Sequence, residues 1–231
     1  MNLAQFTPGS ALITVILIAL APFFAVMVTS FTKIAVVLSL VRNALGLQQV
    51  PPNLVLNGLA LILTLFVMYP TLEKMQAAAA VERPAAPTMP GDPPAAENPI
   101  ESTGDIIATA DRAKEPLREF LMKHSDAGER AFFLRTQQRI GDPATATRLK
   151  ESDFVVVIPA FVVKELKLAF QIGFLIFLPF LIIDMVISNI LLAMGMMMLS
   201  PVTISLPFKI LLFVLVDGWV KLSHGLVLSY A

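Results

Sequence analysis

Two long apolar regions, separated by one polar segment, limit what this chain can fold into. The segment from Glu73 to Asp153 holds fourteen of the seventeen acidic and eleven of the seventeen basic residues. A soluble domain is about 25% charged, whereas this chain is 15% charged and 56% hydrophobic. The apolar regions therefore have too few charges to cover a surface in water, and the sequence predicts an integral membrane protein with a water-soluble insert.

The first apolar region, residues 1–76, is predicted to form a helical hairpin. Roughly 20 apolar residues cross the hydrocarbon core of a bilayer as a helix, and the stretch 11–41 is long enough, with a kink expected at Pro22. A polar connector with paired prolines follows, and then the uncharged stretch 54–72. The first apolar run far exceeds the about 7–15 residues of a signal-peptide core, so we expect it to be retained.

The polar segment divides into a linker and a folded insert. Residues 77–99 contain six prolines and almost no large apolar side chains, a composition typical of a flexible or polyproline-like linker. Residues 100–152 carry two amphipathic helical patterns that meet at Ser125-Asp126, with helix starts expected at Asn98-Pro99 and Asp142-Pro143. We therefore expect a small helical insert.

The second apolar region, residues 153–231, is predicted to form another hairpin. Its first stretch is interrupted by the charged residues at 164–167 and then runs from 168 to 194. The loop MGMMMLSP separates it from a last stretch that begins at Val202. The expected fold class is all-α: a multi-pass membrane protein in which two apolar helical hairpins flank a small helical extracytoplasmic insert.

Charges near the short connectors indicate the orientation. Short cytoplasmic loops are enriched in lysine and arginine. One connector carries Arg42 and no acid, and the other is followed by Lys209. This pattern favours cytoplasmic connectors, with the insert and both termini on the other side of the membrane.

Five charged residues in the apolar stretches are expected to make buried polar or inter-subunit contacts: Lys33, Asp184, Lys209, Asp217 and Lys221. A lysine or aspartate at the centre of a lipid-facing helix costs about 2.5–3.5 kcal/mol. The helical pairing of Asp217 with Lys221 returns only about 0.2–0.5 kcal/mol. We therefore expect the last helix to lie inside an assembly. Asp184 is either a proton-relay site or a polar contact between packed helices, the second being favoured.

Residues for catalysis or cofactor binding are missing. The chain has no cysteine, which excludes disulfides, thiolate metal sites and cysteine nucleophiles. It also lacks the nucleophile-elbow, zinc-protease, phosphate-binding-loop and dinucleotide-binding motifs. The two histidines, His124 and His224, are far apart in the sequence, whereas a metal site needs several convergent ligands. The sequence predicts a protein that is not an enzyme and that binds no cofactor or metal.

Four methionines cluster around Gly195: Met194, Met196, Met197 and Met198. Such a cluster is usually a loose helix end filled by flexible side chains. The alternative is a gasket. Because methionine is unbranched, apolar and deformable, a ring of such loops from several copies would close a wide pore against ions yet yield to an unfolded polypeptide.

Several motifs lie in an order typical of one family. They are TSFTK at 29–33, RNALG at 42–46, QQ at 48–49, PPN at 51–53, PLREF at 116–120, PAF at 159–161, AFQIGF at 169–174, MGMMMLSP at 194–201, PFK at 207–209 and DGW at 217–219. These motifs resemble the FliP/SctR family of type III secretion and flagellar export-gate proteins. The retained start and the RNALG connector look more like the injectisome branch than the flagellar one.

The resemblance implies both the partners and the role of the chain. Members of the family form a homopentamer that joins several copies of a small two-helix subunit and one larger related subunit. Together with other export-apparatus membrane proteins they make the inner-membrane entry channel for unfolded substrates, in contact with lipid and not with nucleic acid. The gasket of the family corresponds to Met196, Met197 and Met198, and its apolar segments need not each cross the bilayer.

An alternative function is a proton- or solute-coupled transporter that uses Asp184, Asp217 and Lys209. Transporters commonly contain internal repeats, and the two apolar halves of this chain share no obvious motif. An intramembrane hydrolase is a third possibility, for which no nucleophile and base are visible. The channel subunit is the favoured prediction.

Overall fold

The computed structural model describes residues 8–47, 49–80, 103–141 and 148–231. The regular elements within these ranges are helices. They are α1 (Pro8–Met27), α2 (Phe31–Ala44), α3 (Asn53–Ala80), α4 (Thr103–His124), α5 (Ala127–Ile140), α6 (Phe154–Ala193), α7 (Pro201–Leu215) and α8 (Gly218–Leu228).

Two of these helices, α3 and α6, are long and apolar enough to cross a membrane, and α7 with α8 would form a third span if the bent pair counts as one. The predicted fold class, an all-α multi-pass membrane protein, is confirmed. With 40 residues, α6 is about 60 Å long, twice the roughly 30 Å of a hydrocarbon core. One end of α6 therefore extends beyond the hydrocarbon core.

The chain forms two compact units. The membrane unit contains the described residues up to Val67 and those from Ile158 onward, and the insert unit is Met68–Val157. The predicted linker begins inside α3, which continues to Ala80, and the rest of the linker lies outside the described residues. The predicted domain boundaries stay predictions.

The membrane unit is built around α2. Its apolar side chains recur at the helical spacing of three and four residues, and Ile34, Val37, Leu38 and Val41 are all fully buried. Side chains from four other helices complete this core: Leu56 and Ala60 of α3, Ala169 and Phe180 of α6, Phe213 of α7 and Leu226 of α8. Helices in lipid associate through close packing of this kind, so α2 organises the helices around it.

The first apolar stretch differs from its prediction. A single helix to residue 41 was expected, but α1 ends at Met27 and α2 begins at Phe31, while the kink at Pro22 stays a prediction. Two threonine hydroxyls accompany this end, since Thr29 donates to the carbonyl of Ala25 at 2.7 Å and Thr32 donates to that of Val26 at 3.1 Å. These side chains satisfy carbonyls at the helix end, which allows the backbone to leave the helix before α2 begins.

The charged residues at 164–167 interrupt the apolar run in the sequence. Residues Phe154–Ala193 form one continuous helix. Lysine and glutamate are good helix formers, so the charged residues end the apolar run without ending the helix. One of them, Glu165, is buried.

The last apolar stretch is broken into α7 and α8, which meet at an angle of 60°. Asp217 lies at the break in the left-handed backbone conformation, with φ of 53°. Aspartate tolerates this conformation better than most residues because its short polar side chain bonds locally. The DGW motif is therefore where the last helix bends.

The insert unit contains the two predicted amphipathic helices, α4 and α5. The predicted start at Asp126 is confirmed, because its carboxylate accepts a hydrogen bond from the backbone N–H of Gly128 at 3.2 Å. Arg130 holds the turn by donating to the Ser125 hydroxyl at 2.8 Å and to the Met122 carbonyl at 3.3 Å. The other two predicted helix starts, at 98–99 and 142–143, lie outside the described residues.

Gly218 provides a test of the packing at the α7–α8 bend. A Cβ atom at this position would overlap the ring of Phe213, which is buried and meets Trp219 edge-on at 5.2 Å. Gly218→Ala should therefore lower the free energy of unfolding by about 1–3 kcal/mol, measured as the midpoint of thermal unfolding in detergent.

Gly225→Ala is the matched control in the same helix. No atom lies within 4 Å of a Cβ added at Gly225, so alanine should be neutral or should stabilise by up to about 1 kcal/mol through helix propensity. Equal unfolding midpoints for the two variants would contradict the packing described here.

Candidate functional site: a methionine loop and two buried ion pairs

The methionine loop follows the end of α6. Gly195 has a positive φ of 72°, and the backbone N–H groups of Gly195 and Met196 donate to the carbonyls of Leu192 and Leu191 at 3.0 and 2.9 Å. A left-handed glycine with these two bonds is a common way to end a helix. The next helix starts with Pro201 at its first position, so both ends of the loop are set by local chemistry.

The side chains of this loop are exposed. Met197 is 82% exposed, Met198 is fully exposed, and Met194 and Met196 are also exposed. No atom lies within 4 Å of a Cβ added at Gly195. The loop therefore presents flexible thioether side chains away from the packed interior of the membrane unit.

The first ion pair, which is partly buried, joins α6 to α7. Lys209 Nζ lies 2.6 Å from Asp184 Oδ2, and the side chains are 3% and 23% exposed. The hydroxyl of Ser205, one helical turn before Lys209, donates to Asp184 Oδ1 at 2.5 Å. Lys209 also donates to the backbone carbonyl of Ala44 at 3.5 Å. This cluster links α6 and α7 to the end of α2.

The connector after α2 is held by an arginine. Arg42 donates to Asn53 Oδ1 at 2.5 Å and to the Pro51 carbonyl at 3.4 Å. Gly46 has a φ of 79°, and a Cβ atom at this position would lie 3.9 Å from Lys209 Nζ. The RNALG motif therefore closes the connector on itself and brings it next to the Lys209 cluster.

The second ion pair lies deeper in the membrane unit. Lys33 Nζ is 3.6 Å from Glu165 Oε1, and each side chain is 1% exposed. The hydroxyl of Tyr230 donates to Glu165 Oε2, and Lys33 Nζ lies 3.4 Å from the centre of the Tyr230 ring. Three parts of the chain, α2, α6 and the C-terminal turn, therefore meet at one charged cluster.

Tyr230 is held in its neutral form. Burial, and then the neighbouring charge of Glu165, raise the pKa of the Tyr230 phenol above its ordinary value. The phenol therefore keeps its proton and donates a hydrogen bond to the carboxylate. A buried carboxylate needs such a donor in addition to its ion pair.

The predicted polar residues fall into two groups. Lys33, Asp184 and Lys209 form the clusters described above, whereas Asp217 and Lys221 are exposed. Lys209 pairs with Asp184, so Asp217 is not its partner within the chain. Within the described ranges, Asp217 forms no ion pair.

Two residues of the buried clusters were not predicted from the sequence as site residues, Glu165 and Tyr230. Glu165 lies in the charged run at 164–167, where the hydrophobic pattern is broken. Tyr230 lies near the C-terminus, where a lone aromatic residue carries little pattern. The sequence does contain a signal for the burial of Glu165. Ile158, Glu165 and Ile172 follow one another at intervals of seven residues, which places Glu165 near an apolar face of α6.

The described residues contain no group of three or more histidine, cysteine, aspartate or glutamate side chains that would hold a metal ion. Each buried acid in the two clusters is already bonded to a lysine and a hydroxyl. The two clusters therefore join helices to one another. The methionine loop, in contrast, is an exposed apolar surface.

Substitutions of Tyr230 test whether the buried cluster of Lys33, Glu165 and Tyr230 stabilises the fold. Tyr230→Phe keeps the ring beside Lys33 but removes the donor to Glu165, so it should cost about 1–3 kcal/mol of stability for a buried acceptor left unsatisfied. Tyr230→Leu also removes the cation–π contact and should cost about 0.5–2 kcal/mol more. Unfolding in detergent by heat or denaturant measures both steps.

The other tyrosine of the chain is the matched control. Tyr69 is exposed, so Tyr69→Phe should unfold at the wild-type midpoint. If Tyr230→Phe also unfolded there, the hydroxyl would not stabilise the cluster.

Comparison with known proteins identifies the family. The sequence profile of the FliP family matches residues 12–226. The chain is 47% identical over 223 residues to the hypersensitivity response secretion protein HrcR of Ralstonia nicotianae, covering 96% of this chain and 97% of that protein.

Two further relatives cover nearly the same region. The chain is 48% identical over 223 residues to Yop proteins translocation protein R of Yersinia pestis, covering 95% of this chain and 94% of that protein. It is 44% identical over 212 residues to the flagellar biosynthetic protein FliP of Bacillus subtilis, covering 92% of this chain and 87% of that protein. Because the profile and these relatives each match most of the chain, the protein belongs to the FliP family, as its motifs predict.

Proposed function

We propose that this chain is a non-enzymatic subunit of a type III secretion export apparatus in the bacterial inner membrane. Copies of the chain enclose an entry channel for unfolded proteins, with the methionine loop as its gasket. Membership of the FliP family supports this function, as do relatives named for secretion and translocation. Identities of 47% and 48% to those relatives, against 44% to the flagellar one, favour the injectisome branch.

The exposed methionine loop is the observation that carries the proposal. Two exposed apolar thioethers, Met197 and Met198, stand at the turn between two apolar helices. A single copy cannot close a pore with such a loop. Several copies around one axis would bring the thioethers together as a deformable apolar plug that excludes hydrated ions.

The outer surface of the membrane unit supports assembly into an oligomer, which we propose to be a homopentamer. Only 22% of the most apolar part of α3 and 11% of that of α6 are buried within the chain. Lipid can cover apolar side chains, but it cannot satisfy the exposed charges of Asp217 and Lys221. These two residues are therefore assigned to contacts with a neighbouring subunit or with water in the channel.

The remaining partners follow from the same assignment. A small two-helix subunit, a larger related subunit and other export-apparatus membrane proteins cover the rest of the apolar surface. We assign the insert unit to the periplasmic side, because the short connector after α2 carries Arg42 and no acid and short cytoplasmic loops are enriched in basic residues. Unfolded secretion substrates pass through the channel, and lipid surrounds the assembly.

A coupled transporter fits the geometry less well. A proton-relay acid must exchange its proton during transport, whereas Asp184 is already bonded to Lys209 and to the Ser205 hydroxyl. The second acid considered for this role, Asp217, is exposed and lies at a helix bend. The channel is therefore the function that the arrangement supports better.

Replacing Met196, Met197 and Met198 with alanine tests the gasket. These three side chains are exposed rather than part of the core, so each chain should fold and the oligomer should assemble normally. The shortened side chains should leave a gap, and the membrane should leak. The measurement is the efflux of a small dye from membrane vesicles that contain the complete export apparatus.

Leucine at the same three positions is the matched comparison. Leucine restores apolar volume but is less flexible than methionine, so this variant should leak less than the alanine variant. An assembled alanine variant with wild-type permeability would show that the loop does not seal the channel.

Asp217→Asn tests the assigned subunit contact. Asparagine also tolerates the left-handed conformation, so the bend is kept and only the charge is lost. A partner charge left buried and unpaired costs roughly 3–5 kcal/mol, so native mass spectrometry should show less intact oligomer. Asp111→Asn, a change of an exposed acid in the insert unit, is the control. Equal oligomer yields for both variants would place Asp217 outside the contact.

A further inference from the structure

The methionine loop has a reactivity that a purely structural plug would not need. Met197 and Met198 are the most exposed methionines among those whose exposure the structure describes. The chain contains no cysteine, so its methionine thioethers are its peroxide-reactive sulfur atoms. Reaction requires the oxidant to approach the sulfur, and exposure therefore ranks these atoms.

We propose that Met197 and Met198 form an oxidation site at which peroxide converts the seal into an open, hydrated loop. This inference rests on the function proposed above. The class of oxidant is a peroxide such as hydrogen peroxide, which the surroundings supply. The modification is the addition of one oxygen atom to each thioether.

The reaction balances without any other group. A lone pair of the thioether sulfur attacks one peroxide oxygen, a sulfur–oxygen bond forms and the oxygen–oxygen bond breaks. The sulfur loses two electrons, and the peroxide is reduced to water as a proton moves to the departing oxygen. The product is methionine sulfoxide, which methionine sulfoxide reductases convert back to methionine.

The surroundings of the loop explain why the sulfoxide would open the seal. A sulfoxide oxygen is a polar acceptor that costs free energy in an apolar environment unless it is hydrogen-bonded. The residues on either side of this pair, Met196 and Leu199, are apolar, and both thioethers are exposed rather than packed against polar groups of the chain. The new oxygen must therefore take its hydrogen bonds from water, and water enters the plug.

A buried methionine offers an internal reference in the same molecule. Met68 is 3% exposed, so peroxide reaches its sulfur only when the surrounding structure opens. Met185 lies in α6 and is exposed, but it lies outside the loop. These two residues separate the effect of exposure from the effect of position.

The first experiment measures where oxygen is added. Vesicles that contain the complete export apparatus are treated with hydrogen peroxide, and peptides are mapped by mass spectrometry over time. Met197 and Met198 should gain sulfoxide faster than Met68 by a factor on the order of ten. Equal rates at the three positions would overturn the proposed site.

The second experiment measures the consequence. Dye efflux is compared with and without peroxide in wild-type vesicles, in Met197→Leu/Met198→Leu and in Met185→Leu. Peroxide should raise efflux several-fold in wild type and in Met185→Leu, and treatment with the two sulfoxide reductases should reverse it. In the double variant the ratio of efflux with peroxide to efflux without it should stay near one, because leucine has no sulfur to oxidise.

The outcomes separate this inference from the proposed function. If the triple alanine variant is tight, the gasket itself is wrong. If that variant leaks but peroxide has no effect on wild type, or raises efflux equally in the double leucine variant, only the oxidation site is wrong. As an independent mimic of the sulfoxide, Met197→Gln/Met198→Gln should leak without peroxide.

Discussion

The membrane unit depends on placing charges inside an apolar fold without leaving any of the buried ones unpaired. An ion taken out of water costs several kcal/mol unless a partner and further hydrogen bonds compensate for it. Lys33 is therefore placed against Glu165 and the Tyr230 ring, and Lys209 against Asp184. Each cluster requires particular helices to meet at one point. The two clusters together therefore set the arrangement of the helices, which apolar packing alone would define only loosely.

The same constraint explains what remains exposed. With α2 enclosed by its neighbours, the outer faces of α3 and α6 are apolar, and the charges of Asp217 and Lys221 stay outside the core. Such a surface suits neither water nor lipid alone, which is the physical reason for proposing an assembly. The methionine loop belongs to this surface as its most deformable part, and its thioethers suit both of the proposed roles, a seal and a site of oxidation.

Much of the architecture could be predicted, because long apolar runs, prolines and capping residues act locally. Such signals predict the two helices of the insert, the start of α5 at Asp126 and the loop around Gly195. The break at 28–30 was missed because no proline or glycine marks it. The hydroxyls of Thr29 and Thr32 satisfy carbonyls at the end of α1 instead. The charged residues at 164–167 interrupt the hydrophobic pattern but not the geometry of α6, because lysine and glutamate are good helix formers.

The sequence by itself determined that the protein is helical, apolar, built for a membrane and a member of the FliP family, because these properties depend on residue types and their order. The tertiary structure decided which charges meet. Asp217 and Lys221 are favourably spaced in the sequence, yet Asp217 lies at the bend before α8. Lys209 instead pairs with Asp184, 25 residues away. Tyr230 likewise reaches Glu165 across 65 residues. Such pairs depend on how the helices pack around α2, and no local pattern contains that information.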